Sequence, residues 1–196
     1  MLGKSILIAI IGMSMTGFVI AGQDAKTAPA SATLPISYGK CYRIQNQARE
    51  FLGSDKLTWG YQLFKPLSDS EVYQICQHRV DGACQYDSVR AVRNAEDFFI
   101  WDFVGATYAK KGNLLAANDP TYYWGRFYPG ASSFRNFFHF QGEAECGINT
   151  NPCAIRTSGT NKAAGHRIME DEKYLRTTRD NSTRLLWYHE VSCPES

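Results

Sequence analysis

Residues 51–59 read Phe-Leu-Gly-Ser-Asp-Lys-Leu-Thr-Trp, and the pattern in this stretch decides the predicted fold. An apolar pair ending in Leu is followed by an Asp and then by a Trp, and this order occurs three times. The three copies are Phe51-Leu52, Asp55 and Trp59; Leu114-Leu115, Asp119 and Trp124; and Tyr174-Leu175, Asp180 and Trp187. The leucines at 52, 115 and 175 are almost evenly spaced. Such spacing is typical of one structural unit used three times, each copy burying a Leu and a Trp against its neighbours.

The remaining sequence has the pattern of short strands separated by turns. Aromatic and β-branched runs alternate with segments rich in Gly, Asn and Asp. The predicted strands cover residues 41–44, 60–64, 72–76, 98–104, 122–128, 134–140 and 185–191. Only residues 88–99 hold a weak helical pattern, enough for one or two turns. The sequence therefore predicts an all-β domain. Three units of about four strands each favour a β-trefoil, with a β-sandwich or barrel as the alternative.

The chain divides into three regions. Residues 1–21 carry one Lys and then an apolar run that ends at Ala21, which predicts a cleaved secretory signal peptide, with an uncleaved anchor as the alternative. Residues 22–37 are rich in Ala, Thr, Ser and Pro and lack an apolar period, so we expect a flexible leader outside the fold. Residues 38–196 have the length of one domain. Its three units are predicted over residues 42–92, 98–145 and 154–193.

The composition supports a real core and argues against two classes of partner. Hydrophobic residues make up 44% of the chain and aromatic residues 13%. A net charge of +2, spread along the sequence, marks neither a nucleic-acid-binding surface nor a membrane surface. We therefore expect no nucleic-acid partner, and no membrane contact after signal cleavage.

All six cysteines follow the signal segment, and an even number in an exported chain predicts three disulfides. Six cysteines allow fifteen pairings, but loop geometry favours Cys76–Cys84 and Cys146–Cys153, which each close a short loop. The remaining pair, Cys41–Cys193, would close almost the whole domain and contribute about 4–5 kcal/mol in the chain-entropy model. No close Cys/His spacing supports a zinc site. Asn181 begins the one N-glycosylation sequon. These features predict a secreted, extracellular glycoprotein.

The repeated Asp and Trp residues have two interpretations. Asp55, Asp119 and Asp180 lie in turn-like sequence, where an Asp side chain caps its own backbone, and the tryptophans would then be core residues. In the functional interpretation, each unit carries a shallow carbohydrate site. A carboxylate accepts hydrogen bonds from sugar hydroxyls, and an indole stacks on the ring. The candidate ligand-binding residues are Asp55, Trp59, Asp119, Trp124, Asp180 and Trp187.

The sequence offers no catalytic motif, so we expect a protein that is not an enzyme. It has no Gly-x-Ser-x-Gly, no phosphate-binding Gly-rich loop and no metal-ligand spacing, and no cofactor is expected. One enzymatic alternative remains. The order of Tyr122-Tyr123-Trp124, residues 129–131, Arg135, His139 and Glu143 resembles the active-site region of small secreted guanyl-specific ribonucleases, which use a Glu and a His as general base and acid.

Two resemblances bear on the function. Residues 39–46, Gly-Lys-Cys-Tyr-Arg-Ile-Gln-Asn, and residues 49–52 resemble the opening strands of ricin-B-type lectin trefoils. The Gln-x-Trp motif of that family is incomplete here, because Trp59, Trp124 and Trp187 lack the Gln two residues earlier. The resemblance therefore implies the fold more than a sugar specificity. The signal, the leader and the cysteine-rich domain together are similar to small proteins secreted by filamentous fungi, many of which act as effectors or virulence factors on a host.

These observations predict a secreted, non-catalytic binding protein that recognises a host or cell-wall component, with a glycan as the leading ligand and an extracellular protein as the other. A protease inhibitor is the first alternative, because secreted trefoils also present a rigid loop to a protease. Its candidate loops are residues 77–83, with Arg79, and residues 147–152, with Asn149 or Asn151. A secreted ribonuclease or other hydrolase is the second alternative.

Overall fold

The structure is a computed structural model, and it describes residues 33–105, 112–117, 125–130, 137–146, 153–160, 167–171, 173–178 and 183–195. Within these ranges the protein is all-β, as predicted, with one short 3-10 helix at Leu67–Asp69 and no helix over residues 88–99. No described helix is long and apolar enough to cross a membrane.

The structure describes the following strands: β1 (Thr33–Ser37), β2 (Cys41–Gln45), β3 (Phe51–Ser54), β4 (Gln62–Lys65), β5 (Tyr73–Cys76), β6 (His78–Val80), β7 (Ala83–Gln85), β8 (Ala91–Arg93), β9 (Phe99–Asp102), β10 (Asn113–Ala117), β11 (Phe127–Pro129), β12 (His139–Glu145), β13 (Ala154–Thr160), β14 (Arg167–Asp171), β15 (Tyr174–Thr178) and β16 (Arg184–Val191).

Six of these strands form a barrel-like ring of antiparallel pairs. Strand β2 pairs with β5, β5 with β9, β12 with β13, β13 with β16, and β16 with β2. One bridge between Phe98 and Phe140 connects the β9 and β12 segments. Its two backbone hydrogen bonds measure 2.8 and 2.9 Å. The ring therefore needs pairing between its own first and last strands, β2 and β16, which are distant in sequence.

Three hairpins extend from the ring and contact one another. They are β3–β4, β10–β11 and β14–β15, and each lies between two ring strands in sequence. Leu63 of the first hairpin pairs with Tyr174 of the third. Arg126, at the start of the second hairpin's return strand, forms a bridge with Arg176 of the third. The rings of Tyr61 and Tyr128, 6.5 Å apart, connect the first hairpin with the second.

The Leu of the predicted repeat lies on the same strand of the hairpin in the first two units and on the other strand in the third. Leu52, Leu115 and Leu175 are all buried in the same core cluster. Leu52 and Leu115 lie on the first strand of their hairpins, β3 and β10, whereas Leu175 lies on the second strand, β15. The third copy was therefore aligned to the wrong strand. An apolar–polar alternation occurs on both strands of a hairpin, so sequence spacing alone did not separate them.

The folded region begins earlier than the sequence predicted. Residues 33–37, assigned to the leader, form strand β1, which pairs with β8. Leu34 and Ile36 are buried in the main core cluster. The boundary at residue 38 was therefore wrong by five residues. The two apolar side chains are separated by Pro35, and their period-2 alternation was concealed by the Ala-, Thr- and Pro-rich sequence around them.

The three predicted disulfides are present: Cys41–Cys193, Cys76–Cys84 and Cys146–Cys153. The first attaches the segment after β16 to the first residue of β2 and spans 152 residues. The second lies at the base of the β6–β7 hairpin, and the third joins the ends of β12 and β13. Such a set is typical of extracellular proteins.

Candidate functional site

The first predicted site, at Asp55 and Trp59, lies in the loop between β3 and β4. Asp55 Oδ1 accepts hydrogen bonds from the backbone N–H groups of Leu57 (3.0 Å) and Tyr61 (3.1 Å), so this side chain caps its own turn. Trp59 is 44% exposed. The expectation that this tryptophan belongs to the core is therefore wrong, while the capping role expected for Asp55 is confirmed.

Trp187 has different surroundings from Trp59. It lies within ring strand β16, directly opposite Gln45 of β2, and it is half-buried on the outer face of the barrel. The two neighbouring residues, Leu186 and Tyr188, point into the core. These two tryptophans therefore do not share a core position as the repeat implied. Four further predicted residues lie outside the described ranges, namely Asp119, Trp124, Asp180 and the sequon residue Asn181.

The outer face around Trp187 brings together a set of aromatic and polar side chains, which we call the wall cluster. Side chains alternate between the two faces of a strand, so the residues between buried core positions on β2 and β16 must point outward. Directly opposite pairs join Arg43 to His189 and Gln45 to Trp187, and Phe51 of β3 lies opposite Gln45 on its other side. The wall cluster consists of Arg43, Gln45, Phe51, Trp187 and His189.

Hydrogen bonds and ring contacts hold three members of the wall cluster in place. The side-chain nitrogen of Gln45 donates to the backbone oxygen of Arg49 (3.3 Å), which turns the amide oxygen toward His189. Nε2 of His189 lies 2.9 Å from that oxygen and is therefore the donor. The His189 ring also contacts the Phe51 ring, with centroids 5.5 Å apart. Burial lowers the pKa of His189 below its usual value, so the imidazole is neutral at pH 7.

Arg43 is the charged member of the wall cluster, and no described residue neutralises it. Its side chain makes no hydrogen bond or ion pair in the part of the chain that the structure describes, and its Nε is closed to solvent. The two terminal nitrogens of the guanidinium remain accessible. The carboxylate of Glu190, near the end of β16, is already paired with Lys40 at 3.0 Å. A positive charge therefore lies beside neutral aromatic and amide groups.

A second group of polar side chains is buried between the first hairpin and the ring. Tyr73 donates a hydrogen bond to the amide oxygen of Gln62 (2.5 Å), and the Gln62 amide nitrogen donates to Asp102 Oδ2 (3.0 Å). The backbone N–H of Val104 donates to Asp102 Oδ1 (2.9 Å). Burial, and then the charge of Glu71, raise the pKa of Asp102 to about 7. Because this carboxyl is fully buried, no ligand reaches it. Its hydrogen bond from Gln62 of β4 connects the first hairpin to ring strand β9.

The residues of the ribonuclease alternative are only partly described. His139 is buried in β12, where its Nδ1 lies 3.2 Å from an Asp97 oxygen and its ring packs against Phe99. Glu143 lies four residues further along the same strand, a separation of roughly 13 Å in extended chain. Arg135 lies outside the described residues. The described part therefore holds His139 against Asp97 and not against Glu143.

The inhibitor alternative depends on loops closed by disulfides. Residues 78–85 form the β6–β7 hairpin, and Arg79 on its first strand is exposed. The tip of this hairpin is attached to strand β10, because the Asn113 side chain donates to Asp81 (2.8 Å) and accepts from the Gly82 N–H (3.4 Å). The hairpin is thus held at its base and its tip. Residues 147–152, which include Asn149 and Asn151, lie outside the described ranges.

Sequence reasoning identified Trp187 but missed the other four members of the wall cluster. The signal was present in residues 41–45, Cys-Tyr-Arg-Ile-Gln, where Arg43 and Gln45 alternate with the core residues Tyr42 and Ile44. What the sequence did not contain was the pairing of β2 with β16. That pairing brings Trp187 and His189 to the same surface.

No family model matches this sequence, and no curated protein sequence matches it either. Within the described ranges, no group of three or more His, Cys, Asp or Glu side chains could hold a metal ion.

Proposed function

We propose that this protein is a secreted, non-catalytic binding protein of the β-trefoil type. Its ligand is a carbohydrate of a host or of a cell wall, and it binds at the wall cluster. This role fits an effector-like or lectin-like protein that acts outside the cell.

The strand pairing supports the trefoil. A trefoil consists of three four-strand units, in which the first and fourth strands enter a six-stranded barrel and the middle two form a hairpin. The units here would be β2–β5, β9–β12 and β13–β16. The first and fourth strands meet in each unit, and the hairpins β3–β4, β10–β11 and β14–β15 occupy the middle positions. Strand β1 and the β6–β7 hairpin are additions to this plan.

The single observation that carries the ligand class is the wall cluster. Trp187, Phe51 and His189 present rings on one surface, and the Gln45 amide lies between them. Aromatic faces pack against the apolar C–H side of a sugar ring, while an amide and a guanidinium bond its hydroxyls. Hydrogen bonds and ring contacts fix Gln45, His189 and Phe51 before a ligand arrives, which reduces the entropic cost of binding.

The loop at Asp55 and Trp59 is the weaker candidate for this site. Neither carboxylate oxygen of Asp55 is available to a sugar, because two backbone N–H groups donate to Oδ1 and Oδ2 is closed to solvent. Secretion is supported by the three disulfides and by the N-terminal apolar segment, both of which belong to proteins of oxidising compartments.

A binding experiment with matched tryptophan variants tests the proposal. The purified domain is applied to a glycan array, and the retained glycans are then measured by calorimetry. We expect Trp187→Ala to remove most of the glycan binding, because it deletes the largest aromatic ring of the wall cluster. Trp59→Ala, the same truncation on another surface, should retain it. Binding that survives Trp187→Ala and disappears with Trp59→Ala would move the site to the hairpin loop. A domain that retains no glycan on the array would refute the proposal.

One observation favours protease inhibition as a second candidate. The β6–β7 hairpin presents Arg79 on a segment that the Cys76–Cys84 disulfide and Asn113 hold at both ends. A rigid, exposed arginine suits the binding pocket of a protease that cleaves after basic residues. Titration of trypsin with the wild-type domain and with Arg79→Ala tests this function: loss of inhibition in the variant supports it, and a wild type that never inhibits rejects it.

A further inference from the structure

The wall cluster contains a charge that a neutral sugar would not require. The guanidinium of Arg43 lies half-buried on the barrel wall, with Nε closed to solvent and two terminal nitrogens open to it. It has no hydrogen-bond or ion-pair partner among the described residues. Polar groups that lose water without gaining a hydrogen bond lower stability, and a charged group does so more strongly. A residue that only covered the wall would not need a guanidinium at this position.

The groups around Arg43 do not neutralise it. His189, directly opposite on β16, is bonded to Gln45 and carries no negative charge in any protonation state. Glu190 forms its ion pair with Lys40, and Glu50, at the end of the β2–β3 turn, makes no ion pair with Arg43. The positive charge is therefore available to a ligand that lies on the neighbouring rings.

We infer that the wall cluster selects an acidic saccharide, whose anionic group binds the Arg43 guanidinium while its sugar ring packs against Trp187. The inference rests on the proposed function and specifies its ligand. A guanidinium binds carboxylates and sulfate esters through two parallel hydrogen bonds, and such charge-assisted bonds are stronger than neutral ones. Gln45 and His189 then contact the neutral hydroxyls, so the site distinguishes acidic sugars from neutral ones mainly through one residue.

Calorimetry with paired probes tests the inference. The carboxylate pair is trigalacturonic acid and its trimethyl ester, and the sulfate pair is a κ-carrageenan tetrasaccharide and its desulfated form. For at least one pair, we expect the wild type to bind the acidic member roughly 10- to 100-fold more tightly. Arg43→Gln should remove this difference, and Arg43→Lys should retain part of it because the charge remains without the planar fork. Arg49→Gln is the matched control, since it removes an exposed charge from the adjacent turn.

The outcomes separate this inference from the proposed function. Thermal unfolding of each variant checks that it folds. Equal affinity for the acidic and neutral members of both pairs would overturn the inference, and so would an acid preference that Arg43→Gln and Arg49→Gln reduce equally. If Trp187→Ala still abolishes the binding of neutral probes, the proposed function stands without the acid preference. If neither neutral nor acidic probes bind the wild type, both proposals fail.

Discussion

The buried carboxyl of Asp102 makes the stability of this protein depend on pH in an unusual direction. Its pKa is raised from 3.8 to about 7, first by burial and then by the charge of Glu71. In the unfolded chain the same group has its ordinary pKa. Between these two values the folded state therefore holds a proton that the unfolded state has released.

The direction and size of the change in unfolding free energy with pH follow from this difference in pKa. A group with a raised pKa in the folded state contributes stability that is complete below the unfolded pKa, and this contribution is lost as pH rises to the folded pKa. Three pKa units correspond to about 4 kcal/mol, lost between about pH 4 and pH 7. Two other groups make the protein less stable as pH falls. Burial lowers the pKa of His189, so the folded state loses stability as pH falls below 6.5. The hydrogen bond from Arg90 lowers the pKa of Glu96 to about 2, so this group reduces stability only below about pH 4.5.

Urea unfolding of the wild type and of Asp102→Asn at pH 5 and pH 7.5 isolates the contribution of Asp102. The terms from His189 and Glu96 are common to both proteins and cancel in the comparison. We expect the free energy of unfolding of the wild type, relative to the variant, to be larger at pH 5 by about 2.5 kcal/mol, because part of the full contribution is already lost between pH 4 and pH 5. Parallel pH profiles for the two proteins would refute the reasoning and show that Asp102 is ionised throughout this range.

Three further predictions concern stability. Replacing both Cys41 and Cys193 by Ser should reduce the free energy of unfolding by about 4–5 kcal/mol, because a loop of 152 residues is released; urea unfolding with unchanged stability would contradict this. Tyr73→Phe leaves the buried amide oxygen of Gln62 without its donor and should lower the free energy of unfolding by about 1–3 kcal/mol. Unchanged thermal unfolding in this variant would show that the hydrogen bond does not stabilise the fold. Leu34→Ala should lower the free energy of unfolding by about 2–5 kcal/mol if β1 belongs to the core. Leu57→Ala, at a surface position, should change it by less than about 0.5 kcal/mol. Equal effects of the two substitutions would show that β1 is not part of the core.

The all-β class and part of the ring were predictable from local patterns in the sequence. Ring strands β2, β5, β9 and β16 carry the aromatic and β-branched residues by which they were predicted, whereas β13 was not predicted. The two short disulfide loops follow from cysteine spacing. The third hairpin was misaligned because Leu175 on β15 imitates the spacing of a first-strand residue. Strand β1 was missed because only Leu34 and Ile36 are apolar there, and their partner strand β8 lies more than 50 residues away. Long-range pairing decides such cases, and local propensity does not report it.

The candidate site was less predictable because it depends on which strands become neighbours. Trp187 was singled out for its place in a repeat, and that reason was wrong, since it lies in a ring strand and Trp59 in a hairpin loop. Arg43 and Gln45 looked like ordinary outward-facing residues of one strand. The antiparallel pairing of β2 with β16, the first and last strands of the ring, places these residues beside Trp187 and His189. No sequence window contains both strands, so the cluster emerges only from the closed ring.

The most direct test of the carbohydrate site is an NMR titration that follows the indole N–H signals of the four tryptophans as the acidic and then the neutral member of each probe pair is added. We predict that for at least one pair the Trp187 signal moves with both members, and at a lower concentration of the acidic one, while the Trp59 signal stays in place. A titration in which Trp59 moves and Trp187 does not, or in which no indole signal responds to either pair, would contradict the account.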